Sequence, residues 1–340
     1  ALPGAVATRN AVFSSFQKQD GQEGGLYAAA GLTKNPVNTA SGNLLYWVED
    51  AVLPGPRLFV QLVRIYNSLA PRNGPFGYGW SFNYGMSVKE DAKSANVAWG
   101  DGGKRFFPKN ADGTFTSPAG TYSKLTKEPD GTYVLSHVHG GGHLFSADGK
   151  LSAITDRNGN RLSLAYSQGC LSSITDAAGR VVAFECDGAA HITKLTDFAG
   201  RALTYQYDAR GDMVKVTGTD AYSADYAYGP AHELLTFSDP ASRTGFAGGR
   251  FEYDEFNRVT AEFDPAGNRV GAFAYEFAED NMTATVTDAA GNTTRDSYDA
   301  DGSWKSRLNP DGRETQLTFD QNANLVKMDD GVAAIELTYD

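Results

Sequence analysis

Three histidines, in the run His137-Val-His139-Gly-Gly-Gly-His143, are spaced as imidazoles that could meet on one metal ion. If Gly140 to Gly142 make the turn of a hairpin, His139 faces His143, and His137 lies two positions away on the same strand face. That would offer zinc three nitrogen donors. A Gly-rich hairpin with incidental histidines explains the same letters, and no metal is assigned. Asp and Asn recurring beside Gly raise calcium. Calcium-binding β-rolls, however, use a much shorter repeat in which successive turns give oxygens to one ion. Here one Asp recurs about every twenty residues, as expected of a side chain that bonds its own backbone turn. No pair of carboxylates stands out for glycoside hydrolysis, and no G-x-S-x-G elbow or phosphate-binding loop occurs. The stretch is read as non-enzymatic, with no cofactor. Two further features are local. Tyr78 and Trp80 lie in the aromatic loop Gly74-Pro-Phe-Gly-Tyr-Gly-Trp80, as a plug packed on a sheet or as a stacking platform for a glycan. Cys170 and Cys186 fall opposite one another if their hairpin folds symmetrically about Ala178, within reach of a disulfide unless a one-residue bulge parts them.

The elements that would carry these residues come from a repeat. Five letters return as Asp156-Arg-Asn-Gly159-Asn, Asp176-Ala-Ala-Gly179-Arg, Asp197-Phe-Ala-Gly200-Arg, Asp264-Pro-Ala-Gly267-Asn, Asp288-Ala-Ala-Gly291-Asn and Asn309-Pro-Asp-Gly312-Arg. A second series is Tyr207-Asp208, Tyr253-Asp254, Tyr298-Asp299 and Tyr339-Asp340, with Phe319-Asp320 as a variant. Copies of the first series sit 20, 21 or 24 residues apart, except for 67 residues between Asp197 and Asp264. Such a period means an array of one supersecondary unit. Between the turns, apolar and β-branched residues alternate with polar ones, as in Leu203, Tyr205, Tyr207, which is strand chemistry. Asp accepts from backbone two residues on, and Gly takes positive φ, so each copy is a hairpin. The Tyr-Asp series marks the opposite turns. The expected fold is all-β: antiparallel hairpins side by side in a long sheet that twists and curls.

The 340 residues suffice for one large β domain or two modest ones. A net charge of −11 argues against nucleic acid as a partner. No apolar run is long enough to span a membrane. Residues 1–34 read as an N-terminal extension, 35–107 as a distinct module, 108–150 as a hairpin connector and 151–340 as the repeat array. Both ends have the look of cuts through a longer polypeptide.

The block Pro36-Val37, Gly42-Asn43, Leu53-Pro54-Gly55, Arg64-Ile-Tyr-Asn-Ser68 and Gly77-Tyr-Gly-Trp80, followed by Gly149-Lys-Leu-Ser-Ala-Ile-Thr-Asp156-Arg-Asn-Gly-Asn160, resembles the Rhs/YD-repeat family of bacterial polymorphic toxins. Residues 35–340 share the resemblance. It implies a β ribbon that spirals into a hollow shell around a C-terminal toxin segment of the same chain. It also implies export from a bacterium through a secretion apparatus, with the 35–107 module plugging or starting the spiral. Related repeats occur in insecticidal toxin complexes and in animal adhesion proteins, which keeps cell-surface or carbohydrate binding as the alternative. Asp264-Pro265-Ala266-Gly267 lies in mid-array, and Asn309 replaces Asp in Asn309-Pro310-Asp311-Gly312, so neither is assigned the family's self-cleavage chemistry.

Overall fold

The computed structural model describes residues 37–54, 58–70, 72–118, 121–219, 221–239, 248–278, 281–299, 304–320 and 324–338. The stretch read as an extension (1–34), Pro36, Gly55 and the pair Tyr339-Asp340 lie outside them. Every regular element described is a β-strand.

The module begins with β1 (Val37–Asn38), β2 (Asn43–Leu53) and β3 (Val60–Asn67), followed by the short β4 (Asn73–Gly74), β5 (Gly77–Tyr78) and β6 (Trp80–Phe82). Strands β1-β2-β3-β6 form one antiparallel sheet, and β4 pairs with β5. The β3 strand is buried from Leu62 to Asn67 without alternation, so both of its faces are covered. A three-stranded meander follows, β7 (Ser87–Glu90), β8 (Ser94–Ala98) and β9 (Lys104–Pro108).

The rest is one ribbon, from β10 (Lys124–Lys127) to β30 (Ala334–Glu336), whose twenty-one described strands are hydrogen-bonded in strict sequence order. It starts within the stretch read as a connector. The two repeat series make the turns on its two margins. At Asp176 the main chain closes with Asp176 N–H to Arg180 O and Gly179 N–H to Asp176 O, both 3.0 Å. The Asp176 carboxylate accepts from the N–H groups of Ala178 and Arg180 at 2.9 Å and from Arg180 Nε at 2.7 Å. Gly179 has φ near 80°, a conformation that costs glycine nothing. Asn160 uses its amide in the same way, Nδ2 to Asp156 Oδ2 at 2.6 Å. The fifth letter is therefore Arg or Asn because both donate to that oxygen. The Asp254 turn repeats the scheme on the other margin.

The ribbon curls. The register slips at Leu144/Phe145, Ala165/Tyr166, Glu185/Cys186, Gln206/Tyr207, Ala227/Tyr228, Glu252/Tyr253, Ser297/Tyr298 and Thr318/Phe319, on the Tyr-Asp margin, and once on the other, at Glu262/Phe263. A bulge bends its strand and adds twist, and a row along one margin rolls a sheet. The module fills the hollow. It touches the ribbon from β12 (Gly142–Phe145), where Trp99 meets His143, to β26 (Thr293–Asp299), where Thr39 meets Asp296. Laid flat, those strands would span about 65 Å, whereas a folded unit of some 70 residues is about 30 Å across. Only a bent ribbon can touch the module along its whole run. One apolar cluster, from Val37 to Phe273, unites the two parts.

Cys170 and Cys186 are joined as a disulfide. The pairing Ser173↔Ala183 with Thr175↔Val181 is symmetric about Ala178, and the bulge at Cys186 falls on the side facing the next strand. The bulge therefore does not part the two cysteines.

Candidate functional site

The polar centre of the molecule lies where module meets ribbon. Arg64 stands in the run Val60-Gln-Leu-Val-Arg-Ile-Tyr-Asn67 and is wholly buried. Its guanidinium pairs with Asp50 on β2, Nε to Oδ2 at 2.5 Å and Nη2 to Oδ1 at 2.8 Å, with both side chains fully enclosed. Burial by itself would weaken its hold on the proton, but Asp50 more than reverses this, and Arg64 titrates well above its ordinary value. Three rings surround the cation, Trp80, Tyr205 and Tyr226, at 5.0, 5.4 and 5.9 Å. Tyr205, from the ribbon, donates to Asp50 Oδ2 at 2.7 Å.

A cavity of about 360 Å³ adjoins this centre, bounded among others by Asp50, Leu53, Leu203, Tyr222 and Asp239. Asp239 is fully buried. Its Oδ2 receives the hydroxyls of Tyr46 and Tyr222 at 3.4 Å each, while its Oδ1 meets no donor. Loss of solvent raises its pKa above the ordinary carboxylate value despite the nearby Arg64.

The aromatic loop is stitched to successive turns of the Tyr-Asp margin. Asn73 Oδ1 lies 2.7 Å from His191 Nε2, and Ile192 N–H donates to Pro75 O at 2.7 Å. Gly77 packs so close that an added Cβ would stand 2.5 Å from Gly211 O. Trp80 is 1% exposed and its Nε1 donates to the Tyr228 hydroxyl at 2.7 Å. Tyr78 stacks on His232 with ring centres 3.6 Å apart, and Asp212 holds that histidine through Nδ1 at 2.8 Å. At the far end Thr39 Oγ1 donates to Asp296, which also takes both arms of Arg307, at 2.6 to 2.7 Å. These contacts seat and seal the module; nothing in them resembles a nucleophile beside a base.

The histidine run folds otherwise than its spacing suggests. The turn spans His137 to Gly141, closed by His137 N–H to Gly141 O at 3.1 Å. His139 is therefore at the exposed tip and does not face His143, which lies opposite Leu135. His137 and His143 share a hydrogen bond of 3.0 Å. Burial, then the neighbouring His137, lowers the pKa of His143 to about 3. Among the described residues no three of His, Cys, Asp or Glu come together as metal ligands.

The signature residues Asp156, Asp176, Asp197, Asp208, Asp254, Asp264 and Asp288 are turn acceptors. Tyr207 and Tyr253 brace neighbouring strands through their hydroxyls. Sequence reasoning passed over Arg64, Asp50 and Asp239. For Arg64 a signal was present, a lone charge inside a strand apolar on both faces, which must find a buried partner.

A family model described as a domain of unknown function (DUF6531) matches residues 34–107. The tRNA nuclease WapA of Bacillus subtilis strain 168 and the tRNA3(Ser)-specific nuclease WapA of Bacillus spizizenii are each 30% identical over 131 residues, 38% of this chain. The chain spans 6% of the length of these relatives. Among solved structures, TcdB2-TccC3 without its hypervariable C-terminal region is 10% identical with a TM-score of 0.35, over 84% of this chain and 19% of that one. The Photorhabdus luminescens Tc holotoxin pore scores 0.36 at 10% identity, over 87% and 20%. Asp-x-x-Gly and Tyr-Asp turns alternate along one ribbon behind a matched 34–107 module, and in this the chain is similar to the Rhs/YD-repeat family.

Proposed function

We propose that this ribbon is part of the wall of a toxin-associated scaffold, and that the wall encloses a C-terminal toxin segment of the same polypeptide until delivery. The observation that carries the reading is the ladder. Strands follow one another in sequence order and bend around a seated module. Such a wall works by exclusion, since a sheet whose ladders are hydrogen-bonded in sequence order, with tyrosine hydroxyls across the splayed strand ends, leaves no opening for a protease loop. The module acts as the plug of one end, fixed by the Arg64–Asp50 centre and by Thr39 on Asp296. Export from a bacterium, with a secretion apparatus as partner, belongs to the same proposal. The relatives are nucleases by name, but the matched stretch is a small part of them. We assign no catalysis to these residues, and the net charge of −11 opposes RNA binding by this surface.

The glycan-platform alternative needs open rings. Trp80 is enclosed and one face of Tyr78 is taken by His232, so the wall is the better supported reading. Limited proteolysis of the longer polypeptide, read by mass spectrometry, tests it. The segment after the repeats should survive until the wall unfolds, and digestion at the rate of a free chain would overturn the proposal.

A further inference from the structure

Five tyrosines of the Tyr-Asp margin do one recurring job, whereas Tyr298 turns its hydroxyl to Thr39. Strand pairs closed by an Asp-x-x-Gly turn, such as Lys194↔Thr204 to Thr196↔Ala202, are laddered over three residue pairs and then splay toward the other margin, except at the Asp288 turn, where the ladder runs over seven pairs. A tyrosine hydroxyl spans the gap. Tyr166 donates to Leu151 O at 3.0 Å, Tyr207 to Ile192 O at 2.7 Å, Tyr228 to Met213 O at 2.9 Å, Tyr253 to Leu234 O at 2.9 Å and Tyr275 to Val259 O at 2.8 Å. The residues that own these carbonyls are all 0% exposed. For Tyr166, Tyr207 and Tyr228 the acceptor lies 15 residues upstream.

Phe145, Phe319 and Cys186 stand on this margin in place of a tyrosine, and at Cys186 a second cysteine stands opposite. Leu171 is buried, and the residue 15 positions downstream is Cys186, whose Sγ lies 3.9 Å from Leu171 O. Cys186 occupies the tyrosine place in every other respect, with a register slip before it and the turn residue Asp187 after it. Its own ladder also stops after three pairs, from Thr175↔Val181 to Ser173↔Ala183. Beyond that point the bond to Cys170 holds the two strands together.

We propose that the Cys170–Cys186 disulfide is a redox-dependent lock standing in for a tyrosine strut, closed in an oxidising compartment and open in a reducing one. A thiol is a weak donor, so the reduced pair leaves the Leu171 carbonyl poorly met. Closure is thiol–disulfide exchange with an external disulfide, small-molecule or protein. The Cys186 thiolate, half-buried where Cys170 is 8% exposed, attacks one sulfur of that disulfide and expels a thiolate. The Cys170 thiolate then attacks Cys186 Sγ and expels the second. Two protein thiols are oxidised by two electrons, and one external disulfide becomes two thiols. A chain made in a reducing cytosol would carry this hairpin open and lock it after export. The lock does not depend on what, if anything, the wall encloses.

Amide hydrogen exchange of the chain, with and without tris(2-carboxyethyl)phosphine, tests the idea. Peptides within 170–186 should exchange about tenfold faster, or more, after reduction, while those within 192–207 stay unchanged. The double variant Cys170→Ala with Cys186→Tyr should be protected in both conditions, because the restored hydroxyl reaches Leu171 O. Equal exchange in the oxidised and reduced protein would overturn the lock. A tyrosine variant as exposed as Cys170→Ser with Cys186→Ser would overturn the shared slot.

Discussion

At the scale of single residues, the buried charges decide most. Asp50→Asn leaves the Arg64 cation enclosed without its counter-charge, which is expected to cost about 3–5 kcal/mol. Urea titration of the variant checks this, and a loss below 1 kcal/mol would mean that the rings carry the cation by themselves. Asp239 has the opposite sign. Its pKa is raised in the fold, so its neutral form is favoured there and its contribution is complete only below the unfolded value. That contribution is lost as pH rises through the folded value. Asp239→Asn should therefore stabilise by about 1 kcal/mol at pH 7, and the gain should vanish near pH 3. The turn carboxylates behave conversely. At Asp176 and Asp254 burial pulls upward, but hydrogen bonds from Arg180 and Arg258 prevail and hold both below the usual range. Their stabilisation is present above about pH 4 and drains away as pH falls through the folded values. The turn acceptors were legible because Asp and Gly at fixed spacing have one mechanical meaning. Asp239 was not legible, since its burial depends on a cavity made by residues nearly two hundred positions apart.

At the scale of elements, both series of turns could be read from the letters, and so could the fact that they alternate. The function of the tyrosine could not, because its acceptor belongs to the neighbouring strand and is set by where the ladder splays. The hydroxyl of Tyr253 is expected to contribute about 1–2 kcal/mol. Tyr253→Phe keeps the ring and strands the Leu234 carbonyl. Thermal unfolding should show that loss, and an unchanged midpoint would show the splay to be wet and the strut superfluous. The histidine hairpin turns earlier than a reversal at Gly140 to Gly142 would. Positive φ at Gly140 and Gly141 draws the reversal toward His137 and puts His139 at the tip.

At the scale of the whole molecule, module and ribbon are unequal partners. The module's reach ends at β26: no described residue beyond Tyr298 is buried, and Val332, Ile335 and Leu337 are 80, 52 and 39% exposed. An uncovered apolar strand at a sheet edge invites pairing. Expressed as these 340 residues alone, the chain should self-associate with rising concentration, seen by light scattering, and Ile335→Lys should suppress it. A monomer at all concentrations would show the edge to be protected. That the ribbon curls followed from repeat number and from the twist of β-sheets. What it curls around did not, because the contacts between Thr39 and Asp296 or Tyr46 and Phe237 are invisible in local patterning. If, as proposed, the bent ribbon is the wall of an enclosure, electron cryomicroscopy of a longer polypeptide that contains it should show density for the C-terminal segment on the side of the ribbon that holds the module, with the sheet closed around it. A ribbon open to solvent on that side, with the segment lying outside, would overturn the enclosure.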